Sequence, residues 1–169
     1  MFVSMARFAL LLLLLLACPV SVVAETPSSP QAEQKPTAHF ASLRSDKVNL
    51  RTGPGADFPI EWVFERKGLP VEILAAFDTW RKIRDSEGTV GWVHQGMLSS
   101  RRSVLVTGAV RPLRQDPKPD ADIVAELEPG VVARLSRCNP DWCEVKAHGY
   151  RGWLARDQIW GLEAGEVVQ

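Results

Sequence analysis

Val48-Asn49-Leu50-Arg51-Thr52-Gly53-Pro54-Gly55, followed by Trp80-Arg81-Lys82-Ile83-Arg84 and Gly88-Thr89-Val90-Gly91-Trp92-Val93, decides how this chain folds. Val48 and Leu50 alternate with Asn49 and Arg51, the period of two that sends one strand face inward and the other to water. Thr52-Gly53-Pro54-Gly55 then breaks the strand. Between the quoted stretches lie two short β-branched and aromatic runs, Ile60 to Phe64 and Val71 to Leu74, divided by a turn carrying Gly68 and Pro70. Trp80 to Arg84 and Val90 to Val93 close the series, with Ser86-Glu87-Gly88 as their hairpin turn. Five or so short strands at turn spacings of about 8–12 residues, without a helical period, predict a small all-β barrel or sandwich.

The same unit recurs downstream. Trp80 matches Trp142, Gly68 matches Gly130 and Ile73 matches Leu135, all at an offset of 62. Gly91-Trp92-Val93 matches Gly152-Trp153-Leu154 at 61, and Leu50-Arg51 matches Leu113-Arg114 at 63. The drift implies loop changes of one residue, hence two copies of a unit of about 60 residues. A unit that small buries only about 60% of its unfolded surface. The short connection around Ser99 to Ser103 therefore predicts that the copies pack together.

The opening stretch and the closing hairpin resemble those of bacterial Src-homology-3 (SH3b) domains. The second copy shows the hairpin as Trp142-Cys143-Glu144-Val145 and Gly149-Tyr150-Arg151-Gly152-Trp153-Leu154, ending in Ile159-Trp160-Gly161. Its opening, Arg111-Pro112-Leu113-Arg114-Gln115-Asp116-Pro117, lacks the glycines. The arrangement resembles a family of small exported tandem SH3b proteins. That resemblance implies two tandem SH3-like β-barrels, a first domain over 41–100 and a second over 101–169. It also implies a partly open barrel that binds cell-wall peptides or proteins.

The N-terminal residues predict export. Met1 to Arg7 carry one positive charge, and Phe8 to Ala17 form an apolar run too short to cross a bilayer core of about 30 Å. A signal peptide over 1–24 follows, cleaved after Val22-Val23-Ala24 so that the mature chain begins at Glu25. Leu15-Leu16-Ala17-Cys18 offers a second reading, lipid attachment at Cys18, and an uncleaved anchor is a third. All three place the remainder in the periplasm or cell envelope, with no membrane span after signal removal. Residues 25–40, with Pro27, Pro30 and Pro36 among polar residues, read as a flexible tether. Charge is balanced, 20 basic against 20 acidic residues. Neither repeat has the basic excess that nucleic acid demands.

Chemistry is sparse. Cys138 and Cys143 flank the turn Asn139-Pro140-Asp141-Trp142, and in an oxidising compartment they predict a disulfide. A reactive thiol pair is an alternative, a zinc site from Cys138, Cys143 and His148 lacks a fourth ligand, and no metal or cofactor is expected. No Gly-x-Ser-x-Gly or His-Glu-x-x-His occurs, and Asp78, Asp85 and Glu87 lie in turns, so a binding protein is expected rather than an enzyme. All six tryptophans lie in the repeats. Trp92 and Trp153 read as core or barrel-end packing, while Trp80 and Trp142 fall at a barrel rim, where a ligand-facing groove wall is the functional reading. Trp80, Trp92 and His94 are the candidate ligand-binding residues. Gly53 and Gly55 would let the first loop approach a ligand, whereas prolines in the second would make that domain a rigid support. His94 and Met97 stand where the eukaryotic relatives place proline and tyrosine, with Ala155 and Gln158 in the second copy, which argues against polyproline recognition. Two functions remain: binding of peptidoglycan or its stem peptides, and a periplasmic adaptor for another envelope protein.

Overall fold

The computed structural model describes residues 39–168, whose strands form two antiparallel sheets of seven. The signal peptide, Cys18, the N-terminus at Glu25 and most of the tether lie outside the described residues. The first sheet contains β1 (His39–Leu43), β2 (Val48–Arg51), β3 (Ile60–Phe64), β4 (Pro70–Phe77), β5 (Trp80–Arg84), β6 (Val90–His94) and β7 (Leu98–Ser99). Its order is β3-β2-β6-β5-β4-β1-β7. The second contains β8 (Ser103–Val106), β9 (Arg111–Arg114), β10 (Ile123–Leu127), β11 (Val132–Cys138), β12 (Trp142–Ala147), β13 (Tyr150–Ala155) and β14 (Ile159–Trp160). Its order, β10-β9-β13-β12-β11-β8-β14, repeats the first strand for strand.

Alternation builds each core. Val48 and Leu50 are buried beneath exposed Asn49, and they join Leu43, Val71, Ile83 and Val93. Val104, Val106, Leu113, Val145 and Leu154 do the same in the second barrel. Burying each such side chain contributes about 1.5–3 kcal/mol. The glycine before each hairpin tryptophan is required by close approach. A Cβ on Gly91 would meet Leu50 Cγ at 2.6 Å, and one on Gly152 would meet Arg114 O at 2.5 Å.

Two features depart from the sequence reading. Residues 39 and 40, expected in the tether, belong to β1, where His39 pairs with Ile73 and Phe40 with Glu72. Each copy also has more than five strands. β7 and β14 are two-residue segments following the 3-10 turns Gln95–Met97 and Arg156–Gln158, too short to carry a period.

The barrels touch through polar and aromatic groups. Ser42 Oγ lies 2.6 Å from Ser103 Oγ, which donates to Gly68 O at 2.5 Å. Arg66 donates to Gly130 O at 2.7 Å. Phe40 meets Trp160 edge to face, ring centroids 5.1 Å apart. Beyond β14 the chain folds back on the second barrel. Arg156 donates to Glu163 O and Glu166 O, Arg102 pairs with the Glu166 carboxylate, and Cys138 N–H donates to Val168 O. Burial works to raise the pKa of Glu166. The Arg102 hydrogen bonds, the Glu163 N–H and the nearby Arg102 and Arg156 charges outweigh it and hold the carboxyl below its ordinary value.

Candidate functional site

Strand pairing assembles one surface on the first barrel. Trp80 stands opposite His94, and Lys82 opposite Trp92, across β5 and β6. Arg51 of β2 flanks Trp92, and Phe77 of β4 flanks Trp80. Directly opposed residues share a sheet face, so these six side chains line the outer side, while Leu50, Ile83 and Val93 fill the core. Trp80 and His94 meet edge to face, centroids 5.6 Å apart. Both tryptophans are half-buried, whereas Phe77 and His94 are exposed. Ala75, opposite Lys82, is buried. The three residues chosen from sequence are thus neighbours on one face. Phe77, Lys82 and Arg51 complete that face and were not singled out, although period-two alternation through Trp80 and Trp92 points to Lys82.

Local bonds fix the rim. Asp78 adopts a left-handed φ of 47°, a conformation that aspartate tolerates, and turns the chain between Phe77 and Trp80. Arg81 donates to Asp78 O, Trp80 O and Gln95 Oε1, tying that turn to the 3-10 segment. His94 Nδ1 accepts the Gly96 N–H at 3.1 Å, so the neutral ring carries its proton on Nε2.

The first loop, 52–59, borders this face and has a counterpart in 115–122. Thr52 N donates to Pro59 O, Gly55 N to Gly53 O, Phe58 N to Gly55 O, and Arg51 to Phe58 O. Gln115 N to Asp122 O, Lys118 N to Asp116 O, Ala121 N to Lys118 O, and Arg114 to Ala121 O are the same bonds. The second loop therefore keeps the frame without the glycines. Asp116 and Lys118, not prolines, occupy their places. Neither Gly53 nor Gly55 has a positive φ, but a Cβ on Gly53 would lie 2.3 Å from the Phe58 ring, and one on Gly55 3.1 Å from it. The glycines make room for Phe58. Where Ala121 replaces that ring, side chains fit.

The corresponding face of the second barrel is closed. Trp142 stands opposite Ala155, Glu144 opposite Trp153, and Arg137 opposite Glu144. Arg137 bonds Glu144 at 3.1 Å and lies 5.0 Å over the Trp153 ring, a cation–π cap. Ala155 replaces His94. Asn139, facing Trp142 where Phe77 faces Trp80, turns its Oδ1 to accept the Asp141 and Trp142 N–H groups. Cys138 and Cys143 are buried, directly opposed, and joined in a disulfide with Cα atoms 4.1 Å apart. The bond removes both sulfurs from any site with His148. Ala76 and Arg81 hold the matching pair of positions in the first barrel.

Two barrels of one topology, each opened by a tight loop and closed by a Gly-Trp hairpin, define a tandem SH3-like protein. The chain belongs to the Bacterial SH3 domain family, which matches residues 44–100 and 108–161. It is 23% identical over 130 residues to a Bacillus subtilis (strain 168) protein named Putative N-acetylmuramoyl-L-alanine amidase YrvJ, over 70% of this chain and 25% of that one. The chain thus spans about a quarter of the length of that curated relative. Among solved structures it is similar to NlpC1 from Trichomonas vaginalis at 15% identity, over 83% of this chain and 50% of that one, TM-score 0.34. An NlpC/P60 family protein from Bacillus cereus ATCC 10987 is likewise 15% identical, over 74% of this chain and 57% of that one, TM-score 0.33.

Proposed function

We propose that this protein is a non-catalytic cell-envelope module that binds peptidoglycan or its stem peptides on the outer face of the first barrel. The observation that carries the reading is the contrast between the two faces. Among the described residues no cation lies over the rings of Trp80, Trp92 or Phe77, which stand with His94 beside Lys82 and Arg51, whereas Arg137 and Glu144 close the matching face. Aromatic rims stack on sugar and peptide planes, and the two cations suit peptide carboxylates. A relative named for the N-acetylmuramoyl-L-alanine bond, which joins glycan to stem peptide, supports the wall as the source of ligand. Nothing on the face pairs a nucleophile with a base, which favours binding over catalysis.

The test is paired titration of Trp80→Ala and Trp142→Ala against muropeptides, with circular dichroism to confirm folding. Trp80→Ala should cost about 2 kcal/mol in binding, and Trp142→Ala should leave it nearly unchanged. Loss of affinity in a folded Trp142→Ala alone overturns the choice of barrel, and unfolding of Trp80→Ala makes that residue structural. A second reading, an adaptor for an envelope protein, is favoured by exposed Ile60 and Trp62 on β3, which ends the sheet and can accept a partner strand. Co-sedimentation with sacculi separates the two. Retention in the pellet supports the wall, and a clean supernatant with cross-linked partners supports the adaptor. The proposed site of action is the periplasm. Intact-mass analysis of envelope material should show an N-terminus at Glu25, and a diacylglyceryl group on Cys18 would replace that assignment.

A further inference from the structure

Glu72 and Arg84 face each other across β4 and β5 and form an ion pair at 2.5 Å. The matching residues across β11 and β12 are Arg134 and Lys146, two cations in direct register. Arg151 of β13 stands opposite Lys146 and extends the row to three. With strands about 4.8 Å apart, the row spans about 10 Å. Like charges directly opposed in a sheet are destabilising, and one barrel of this chain demonstrates the neutral alternative.

Arg134 and Lys146 open into a cleft of about 580 Å³ between the barrels. Arg44, Lys67 and Arg101 enter it from the first barrel and the connection, and His148 from the second. None of its lining residues is acidic, in a chain whose charges balance. Arg102, also in the lining, is the one cation there with an ion-pair partner among the described residues, Glu166. The Ser42, Ser103 and Gly68 contact lies at the same cleft, so its walls come from both barrels. The aromatic face proposed above shares no residue with it.

We propose that this cleft is a binding site for a small ligand carrying at least two anionic groups, phosphate or carboxylate, held between the two barrels. Arginine forks match the planar oxygens of either group and lysines add point charge. The unpaired Arg134–Lys146 couple is the cost that the free protein carries for the site.

Isothermal titration of the purified protein with pyrophosphate and, separately, citrate at low salt is the experiment. Saturable binding of at least one is expected, weakening as ionic strength rises to about 0.15 M, where the Debye length is about 8 Å. Arg134→Glu recreates the arrangement of the first barrel as a Glu–Lys pair. It should weaken that binding about tenfold to a hundredfold while raising the melting temperature by about 2 °C. Lys146→Glu should act alike, and Trp80→Ala should leave pyrophosphate or citrate binding unchanged, so that failure of the aromatic face and of this cleft are distinguishable. Binding of neither anion, or unchanged affinity in both charge variants, overturns the proposal. Tighter binding of a single-stranded oligonucleotide than of pyrophosphate also overturns it, because the cleft would then serve a polymer.

Discussion

Gly53→Ala tests the account of the first loop, because its effect should change sign with the residue at 58. Phe58 is 45% exposed. An aromatic side chain buries about 150–250 Å² when fully enclosed, so roughly 100 Å² of this ring rests on the loop. At about 25 cal/mol per Å² that contact is worth at most about 2.5 kcal/mol. A Cβ at 53 would lie 2.3 Å from the ring and drive it into water. The backbone itself has no objection, since Gly53 lies outside the left-handed region. Alanine there also narrows the unfolded ensemble, which stabilises by about 0.4–1 kcal/mol. Gly53→Ala should therefore destabilise by about 1–2 kcal/mol in the native background and stabilise by about 0.4–1 kcal/mol beside Phe58→Ala. Urea unfolding of the four proteins in the cycle measures both. An equal effect of Gly53→Ala in the two backgrounds refutes the reasoning.

Replacing Cys138 and Cys143 by serine opens a loop of sequence separation 5, worth about 2 kcal/mol by chain entropy. The melting temperature should fall by several degrees with folding retained, and free thiols on both residues in exported protein would show that the bond is absent in the envelope. The lowered pKa of Glu166 stabilises the C-terminal segment fully above the ordinary carboxyl value of 4.5, and this contribution is lost as pH falls through the lower folded value. The Glu163 amide, which donates to Glu166 Oε2 at 3.0 Å, should lose hydrogen-exchange protection as pH falls below the ordinary carboxyl value of 4.5. In Glu166→Gln that dependence should flatten, and an unchanged slope would assign it elsewhere.

Much of the fold was legible because the deciding residues act locally. Val48 and Leu50 announce their strand by alternation, and Gly91 and Gly152 mark where one strand crosses closely over another. β1 and β8 carry no clear alternation because each places a serine, Ser42 or Ser103, among its buried residues; those hydroxyls find partners in each other, in Gly68 O and in Arg101 O of the connection. The glycines of the first loop are visible in the sequence, but their role is not. Freedom to approach a ligand and room for Phe58 leave the same trace in a sequence, and only the ring position separates them. Both barrels carry the same register shift, between Ile73 and Ala75 and between Leu135 and Arg137, and the second face is closed because Arg137 and Glu144 stand where the first has Ala75 and Lys82. That shift sets Arg137 opposite Glu144 and over Trp153, and a bulge leaves no periodic signal.

The contact between the barrels has a consequence for anyone who handles them separately. A cut in the connection between Ser100 and Arg101 strips Phe40 of Trp160 and Ser42 of Ser103, and it leaves Gly68 O without the hydroxyl that reaches it. It also divides the cationic cleft, with Lys67 on one fragment and Arg134 on the other. Fragments of this kind expose groups that the intact chain covers, the buried Ser42 and Ser103 among them, so an affinity or a solubility measured on one belongs to the fragment. The barrel is the unit in which this sequence repeats, and the pair is the unit in which its surface is finished.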